Sequence, residues 1–205
     1  MAGQGKRGIF ITFEGTEGSG KTTQAELLGE WLADRDPVVV REPGGTELGE
    51  RIREVLLYAG LEIDAEAEMY LFMASRRQLI AEVIAPALSR GQIVIADRYH
   101  DSTLAYQGGA RGVPTSWPPT FPLPDLTFLL QGPVETGLGR HEAAGKSKDR
   151  MERESMEFHR KVAEAYDYLA GNDPQRFVRL DATGSRDKIH LQVRDHLKPL
   201  LEAGG

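Results

Sequence analysis

The sequence predicts an α/β fold, a doubly wound parallel sheet of five strands flanked by helices. Three observations lead there. Five short apolar runs are continuous rather than alternating, as in strands buried on both faces. Longer stretches with helical spacing of apolar residues separate them, which gives helical crossovers between parallel strands. The first run also leads directly into Gly15-Thr16-Glu17-Gly18-Ser19-Gly20-Lys21-Thr22. This is the pattern G-x-x-x-x-G-K-[ST] in a strand–turn–helix setting, which makes the fold of the P-loop NTPase type.

The first strand is Ile9-Phe10-Ile11-Thr12-Phe13, and the helix after the loop spans Thr23 to Leu32. Between them, glycines let backbone N–H groups converge on an anion without a Cβ in the way. The helix adds its positive N-terminal end. Gly15 through Thr23 are therefore the expected ATP-binding segment, with Lys21 reaching the outer phosphates and the Thr22 hydroxyl reaching Mg²⁺.

Val38-Val39-Val40 is the second strand, followed by Arg41-Glu42-Pro43-Gly44-Gly45-Thr46. Pro-Gly-Gly marks a turn at a strand's carboxyl end, where backbone can approach a ligand closely. Helical patterns follow over Leu48 to Tyr58 and over Ala65 to Ser89. The third strand, Ile93 to Ala96, runs into Asp97-Arg98-Tyr99. Ligands of open α/β sheets sit at such strand ends. There Asp97 is placed to hold Mg²⁺ or its waters, and Arg98 to grip a phosphate bidentately.

Val113 to Pro124 carries five prolines, so it reads as an extended connection rather than a helix. Leu126 to Leu130 is the fourth strand and Arg176 to Leu180 a weaker fifth, with helical patterns over Arg150 to Leu169 and Lys188 to Leu201. Gly139 to Asp149 is polar, and holds Arg140, Lys146 and Lys148. It is either a charged surface loop or a mobile lid that brings cations over bound phosphates.

The 205 residues fit a single domain, 1–205, with the lid at about 141–150. A net charge of −6 lacks the basic footprint expected of a nucleic-acid polymer binder. No cysteine is present, which excludes disulfides and thiolate metal sites. Met1 to Gly8 shows no secretory signal and no run reaches the length of a membrane helix, so a cytoplasmic protein without membrane contact is expected. The motifs alone give an ATP·Mg²⁺ phosphoryl-transfer site or a nucleotide-triggered switch, and leave the acceptor open.

The chain resembles the thymidylate kinases over nearly its whole length. The elements that carry the resemblance are the P-loop, REPGGT at 41–46, LFMASR at 71–76, DRY at 97–99, STLAYQGGARG at 102–112, PDLTFLL at 124–130 and DRMERE at 149–154. The resemblance implies phosphorylation of dTMP to dTDP by ATP with Mg²⁺, in a homodimer. It implies that Phe72 stacks on thymine, with Arg76, Gln107 and Thr103 at the edge of the base. Tyr106 would lie under the sugar, Arg98 and Arg53 would hold the acceptor phosphate, and Glu17 would receive the 3′-hydroxyl. Glu42 and Asp97 would organise Mg²⁺ with Thr22, and Arg140 would lie near adenine. Some relatives carry Arg inside the P-loop and others supply the catalytic cation from the lid. Gly18 places this chain with the second kind, with Arg150 as the expected cation and Lys146 near a further lid position.

Each residue also has a plainer reading. Phe72 lies at helical spacing with Met69 and Leu79 and could be core. Arg53 and Arg76 could be solvated helix charges, Thr103 a helix cap and Tyr106 a packing residue. The expected catalytic set is Lys21, Arg150, Glu17, Asp97 and Arg98. Rival activities are a kinase for another nucleoside monophosphate or a deoxynucleoside, or a GTP-binding switch. The last usually carries an Asn/Thr-Lys-x-Asp segment, which this sequence lacks.

Overall fold

A computed structural model describes residues 7–143 and 148–204. Five strands form one parallel sheet: β1 Phe10–Gly15, β2 Val38–Arg41, β3 Val94–Asp97, β4 Leu126–Gln131 and β5 Phe177–Asp181. Their spatial order is β2-β3-β1-β4-β5. All pairings are parallel, with Phe13 opposite Asp97 on one side and Phe128 on the other. The winding reverses beside β1, because the chain first moves out toward β2 and later toward β5. The P-loop therefore leaves the sheet at its switch point, where α/β folds open a ligand crevice.

Among the described residues eight α-helices accompany the strands: α1 Lys21–Trp31, α2 Glu47–Leu57, α3 Ala65–Leu79, α4 Ala85–Ser89, α5 His100–Thr103, α6 Val134–Ala143, α7 Met156–Asn172 and α8 Arg186–Gly204. On one sheet face Ile11, Phe13 and Phe128 pack with Leu28 of α1 and with Val193 and Leu197 of α8. The other face is covered in two parts. Phe10, Val94 and Tyr99 meet Leu79 and Ile84, while Leu129 and Phe177 meet Val162 and Tyr166 of α7.

The long helical pattern at 65–89 is interrupted by a π-helical turn at Ile80–Ile84. Pro86 explains it, since a proline ring crowds the carbonyl four residues back and removes an N–H. A second π-helical stretch, Leu104–Ala110, continues α5 and carries Tyr106 and Gln107. Residues 113–124 contain no helix, as expected, and are tied down by aromatic contacts. Trp117 packs against Tyr99 and His100, and its Nε1 donates to the Phe121 carbonyl at 3.1 Å.

Two helix expectations are corrected. The segment read as helix from Arg150 begins only at Met156, because Ser155 caps it and accepts from the Phe158 N–H at 3.2 Å. Before it, Asp149 and Glu152 cap each other reciprocally at 2.9 Å in a separate turn. The other correction is α6, which includes the start of what reads as a polar loop from Gly139. Gly137 and Gly139 weaken its helical signal. Lys146 lies outside the described residues.

Candidate active site

β1 carries a carboxylate, Glu14, one residue before its end at Gly15, where the phosphate loop starts. Gly20 precedes α1 with φ 97° and offers no side-chain cap, so the first N–H groups of α1 remain available to an anion. Gly18, at φ 68°, touches the backbone of α6: a Cβ on Gly18 would come within 1.9 Å of the Gly137 carbonyl oxygen. A Cβ on Gly137 would in turn lie 2.3 Å from the Glu17 carbonyl oxygen. The absence of a side chain at position 18 thus has a packing cause. The P-loop and the helix leading to the lid meet backbone to backbone.

Lys21 is buried, and its Nζ donates to the Thr16 carbonyl at 2.6 Å and to Ser19 Oγ at 3.4 Å. Burial, with Arg98 nearby, pulls its pKa down to about 8 against the pull of Glu17 and Asp97. Glu17 accepts from Arg98 Nη2 at 2.6 Å and from the Tyr106 hydroxyl at 2.9 Å. Burial alone would raise the Glu17 carboxyl, yet Arg98 and Lys21 hold it at about 2.

Arg98 has a left-handed backbone, φ 71°, a conformation that clusters at functional sites. Its Nη1 donates to the Gly15 carbonyl at 3.1 Å and to Ser102 Oγ at 3.2 Å. Beneath it lies Glu14, wholly buried, which accepts from the Tyr99 N–H, Ser102 Oγ and the Tyr166 hydroxyl. Burial and the charge of Asp101 raise the Glu14 pKa, while Arg98 lowers it.

Asp97 and Glu42 end neighbouring strands, and the Glu42 N–H donates to the Asp97 carbonyl at 3.0 Å. Asp97 Oδ2 accepts from Thr22 Oγ1 at 2.5 Å, whereas its buried Oδ1 has no hydrogen-bond partner. Glu42 lies 2.6 Å from Arg76 Nε, but off the N–H axis, so charge contact exists without a directed hydrogen bond. Burial pushes the Glu42 carboxyl up to about 7, Arg76 opposes this and Glu14 adds to it.

Arg76 is almost fully buried and is not a solvated helix charge. Its guanidinium donates to Thr103 Oγ1 at 2.7 Å and to the Tyr99 carbonyl at 3.0 Å. It also meets His100 Nδ1 at 3.3 Å. His100 Nε2 lies 2.9 Å from the Ser116 carbonyl, so Nε2 carries the proton and Nδ1 accepts. Burial and Arg76 lower the His100 pKa to about 3, which keeps it neutral. Thr103 ends α5, and at the start of the π-helical stretch its side chain makes no capping hydrogen bond.

These groups surround one cleft of about 510 Å³, a size that suits a small ligand. Its wall includes Glu17, Gly18, Gly20, Lys21, Thr22 and Thr23 from the P-loop side, and Glu42, Asp97 and Arg98 from the strand ends. Arg53, Phe72, Arg76, Thr103, Tyr106 and Gln107 line the other end, and Arg140 reaches the rim. Phe72 satisfies both of its readings, since it lines the cleft and also packs against the apolar cluster of Leu56 and Tyr106. Arg53 Nη1 donates to the Pro43 carbonyl at 2.9 Å, and Arg140 Nη1 to the Ala182 carbonyl at 2.9 Å. Gly15, Thr16 and Ser19 are not part of the wall and act on it as acceptors, the Gly15 carbonyl from Arg98 and the Thr16 carbonyl and Ser19 Oγ from Lys21.

Arg150 departs from expectation. Its Nε donates to the Leu56 carbonyl at 2.7 Å and its Nη2 to Glu68 at 2.5 Å. The guanidinium is fastened to α2 and α3, and the residue is not part of the cleft wall. Sequence reasoning also missed Glu14, Ser102, Tyr166 and Glu68. Two signals were available: Glu14 is a carboxylate at the end of an apolar strand, and Glu68 shares a helix face with Phe72 and Arg76 at four-residue spacing.

Sequence comparison agrees with this geometry. The family model for thymidylate kinase matches residues 13–193. The chain belongs to the thymidylate kinase family. It is 43% identical to a thymidylate kinase of Chromobacterium violaceum, with all of both chains covered. It is 51% identical to one of Thermomicrobium roseum, over 85% of this chain and 87% of the relative. The crystal structure of thymidylate kinase from Ehrlichia chaffeensis superposes with a TM-score of 0.75 at 31% identity, covering 94% of this chain and 99% of that one. The family member described here is a phosphotransferase of the nucleoside monophosphate kinase kind.

Proposed function

We propose that this chain is a thymidylate kinase that transfers the γ-phosphoryl group of ATP to dTMP, giving dTDP and ADP. The observation that carries the reading is the cluster of buried Lys21 and Tyr106 with partly buried Glu17 and Arg98 where β1 and β3 open onto one cleft. An oxygen of the acceptor phosphate attacks the γ-phosphorus as the bond to the β-bridging oxygen breaks, and the electron pair leaves with ADP. The protein contributes positioning and charge and forms no covalent intermediate.

In this reading Lys21 and the N–H groups of residues 15–23 receive the ATP phosphates. Arg98 and Arg53 align the acceptor phosphate, and Glu17 takes the sugar 3′-hydroxyl. Phe72 stacks on the base, with Arg76, Thr103 and Gln107 at its edge, and Tyr106 underlies the sugar. Arg140, at the rim, faces adenine. The transition-state cation assigned to Arg150 on sequence requires that residue to leave Glu68.

The donor set suits Mg²⁺. Among the described residues no group of three His, Cys, Asp or Glu converges as a dedicated metal cage. Mg²⁺ needs no such cage, because it combines one or two carboxylates with phosphate oxygens and water. Asp97 and Glu42, each with an unpartnered buried oxygen, and the Thr22 hydroxyl are such hard ligands. Bound there, Mg²⁺ supplies neutralisation of charge on the ATP phosphates.

A cytoplasmic homodimer completes the proposal. Leu48, Val55 and Tyr58 near α2 and Tyr70 of α3 are exposed apolar or aromatic side chains that a second copy could cover. The deciding assay follows ADP release with dTMP, dUMP, dCMP, dGMP and UMP as acceptors and with ATP or GTP as donor. Highest kcat/KM for ATP with dTMP is expected. A preference for UMP or dGMP would overturn the reading.

A further inference from the structure

Glu68 has no part in the steps above, yet it is wholly buried directly behind the acceptor end of the cleft. It stands on α3 one turn before Phe72 and two before Arg76. Its Oε1 accepts from Gln107 Nε2 at 2.8 Å and from Arg111 Nε at 2.7 Å. Its Oε2 accepts from Arg111 Nη2 at 3.0 Å and Arg150 Nη2 at 2.5 Å. Every one of these contacts is an N–H donor, so both oxygens serve as acceptors, the role of a carboxylate.

This arrangement leaves Gln107 one orientation. A side-chain amide has a donating end and an accepting end. Gln107 Nε2 gives one of its two N–H groups to Glu68, so the nitrogen end is turned toward Glu68 and the carbonyl Oε1 is the end presented to the cleft that Gln107 lines. Glu68 itself cannot turn. Arg111 grips it through two nitrogens, and is fixed in turn by Glu154 at 2.7 Å and by the Phe158 ring at 4.8 Å. The opposite wall is Arg76, which has donors only.

We propose that Glu68 is a positioning residue that sets pyrimidine specificity. By fixing the Gln107 amide it makes the site accept from a ring N–H, which favours thymine and uracil over cytosine. This inference rests on the thymidylate reading of the cleft. Thymine and uracil carry a donor at N3 beside a carbonyl at C4, which meet Gln107 Oε1 and the Arg76 guanidinium. Cytosine presents an unprotonated N3 and an amino group, so acceptor would face acceptor and donor would face donor. Buried polar groups left unpaired in this way discriminate far more strongly than shape alone.

Glu68→Gln tests the idea, because an amide at position 68 can donate to Gln107 Oε1 and so permits the Gln107 amide to flip. The ratio of kcat/KM for dTMP over dCMP should fall about tenfold or more, toward the weak discrimination of a site without a fixed hydrogen-bond pattern. The ratio of dTMP over dUMP should stay unchanged, since both bases carry the N3–H, and KM for ATP should not move. An unchanged dTMP-to-dCMP ratio in a folded variant, including an equal loss on both acceptors, overturns the proposal. If Glu68→Gln does not fold, the double variant Glu68→Gln/Arg111→Gln removes one of the two partly buried cations that Glu68 offsets and carries the same measurement. A wild-type enzyme that phosphorylates neither dTMP nor dUMP would instead sink the thymidylate reading itself.

Discussion

The floor of the cleft and its lid side hold their cations in opposite ways. On the floor, Lys21, Arg76 and Arg98 are bound by groups that the sheet fixes: the Thr16 and Gly15 carbonyls, Glu42 and Glu17. On the lid side, Arg140 is exposed and donates to a loop carbonyl, and Arg150 is fastened to Leu56 and Glu68 outside the cleft wall. Donors on the floor already line the cleft where they are held, so they meet developing charge with little movement, the condition under which electrostatic stabilisation is strongest. A lid-side cation has to exchange a protein partner for a phosphate, so its contribution depends on closure. The comparison teaches that net charge near a ligand says less than what each charge must give up to reach it.

Lys21→Ala attacks the floor most directly and should have the largest effect. Loss of a preorganised donor at developing charge typically costs about 10²–10³ in kcat, and at least that is expected from single-turnover rates with dTMP. A folded mutant that turns over at near-normal speed would remove the P-loop from the mechanism. Arg98→Ala comes next. It strips Glu17 of its charge partner and the acceptor phosphate of its proposed clamp. The dTMP dissociation constant by calorimetry should rise about 10-fold or more, in keeping with a lost charge-assisted bidentate contact. ATP binding should change much less, and equal weakening of both nucleotides would contradict an acceptor-side role.

Gly18→Ala probes the seam between the two regions. The new Cβ would press on the Gly137 carbonyl at a backbone angle that disfavours side chains, so α6 must shift. A lower melting temperature and a several-fold rise in KM for ATP are expected. Unchanged values would mean that floor and lid-side helix move independently.

The floor should also show in acid titration. Glu17 has a folded-state pKa of about 2 against 4.5 when unfolded. A depressed carboxylate stabilises the fold above the unfolded value and loses that contribution as pH falls through the folded one. Chemical denaturation between pH 5 and 2, a window taken from those two values, should therefore show stability falling with acid, and Glu17→Gln should flatten the slope. An identical slope in that variant would place the acid-sensitive charge elsewhere.

Legibility from sequence followed the same division. All five strands stand within a residue or two of the apolar runs; β1, β3 and β4 are buried almost throughout, while the edge strands β2 and β5 are buried only in part and keep their β-branched or apolar runs. Lys21 and Arg98 are readable because one belongs to the P-loop and the other follows a strand end, where chain order dictates place; Arg76, inside α3, is legible only through the family resemblance. What escaped were features made by contact between distant segments. α6 was hidden because its glycines serve the approach to Gly18, and low helix propensity there is the cost of that packing. The Glu68 node joins α3, the π-helical stretch and the turn before α7, and no local spacing announces such a meeting. Arg150 was assigned by proximity to the lid in sequence, while its partners lie 82 and 94 residues away.

Arg150→Ala should therefore produce the smallest rate effect of the series. In this conformation the guanidinium ties the turn before α7 to α2 and α3, and its removal leaves Glu68 still gripped by Arg111. Because one partner remains, the loss should fall short of the roughly 3–5 kcal/mol seen when a buried charge is left with none. A modest drop in melting temperature is expected, with a single-turnover rate at saturating ATP and dTMP reduced less than about tenfold, under 1.4 kcal/mol of barrier. An arginine that meets the transferring phosphoryl group directly is worth about 10³–10⁵ in rate in well-studied phosphoryl-transfer enzymes. A loss of that size with an unaltered melting temperature would mean that Arg150 abandons Glu68 on closure, and that the lid side supplies charge the floor cannot.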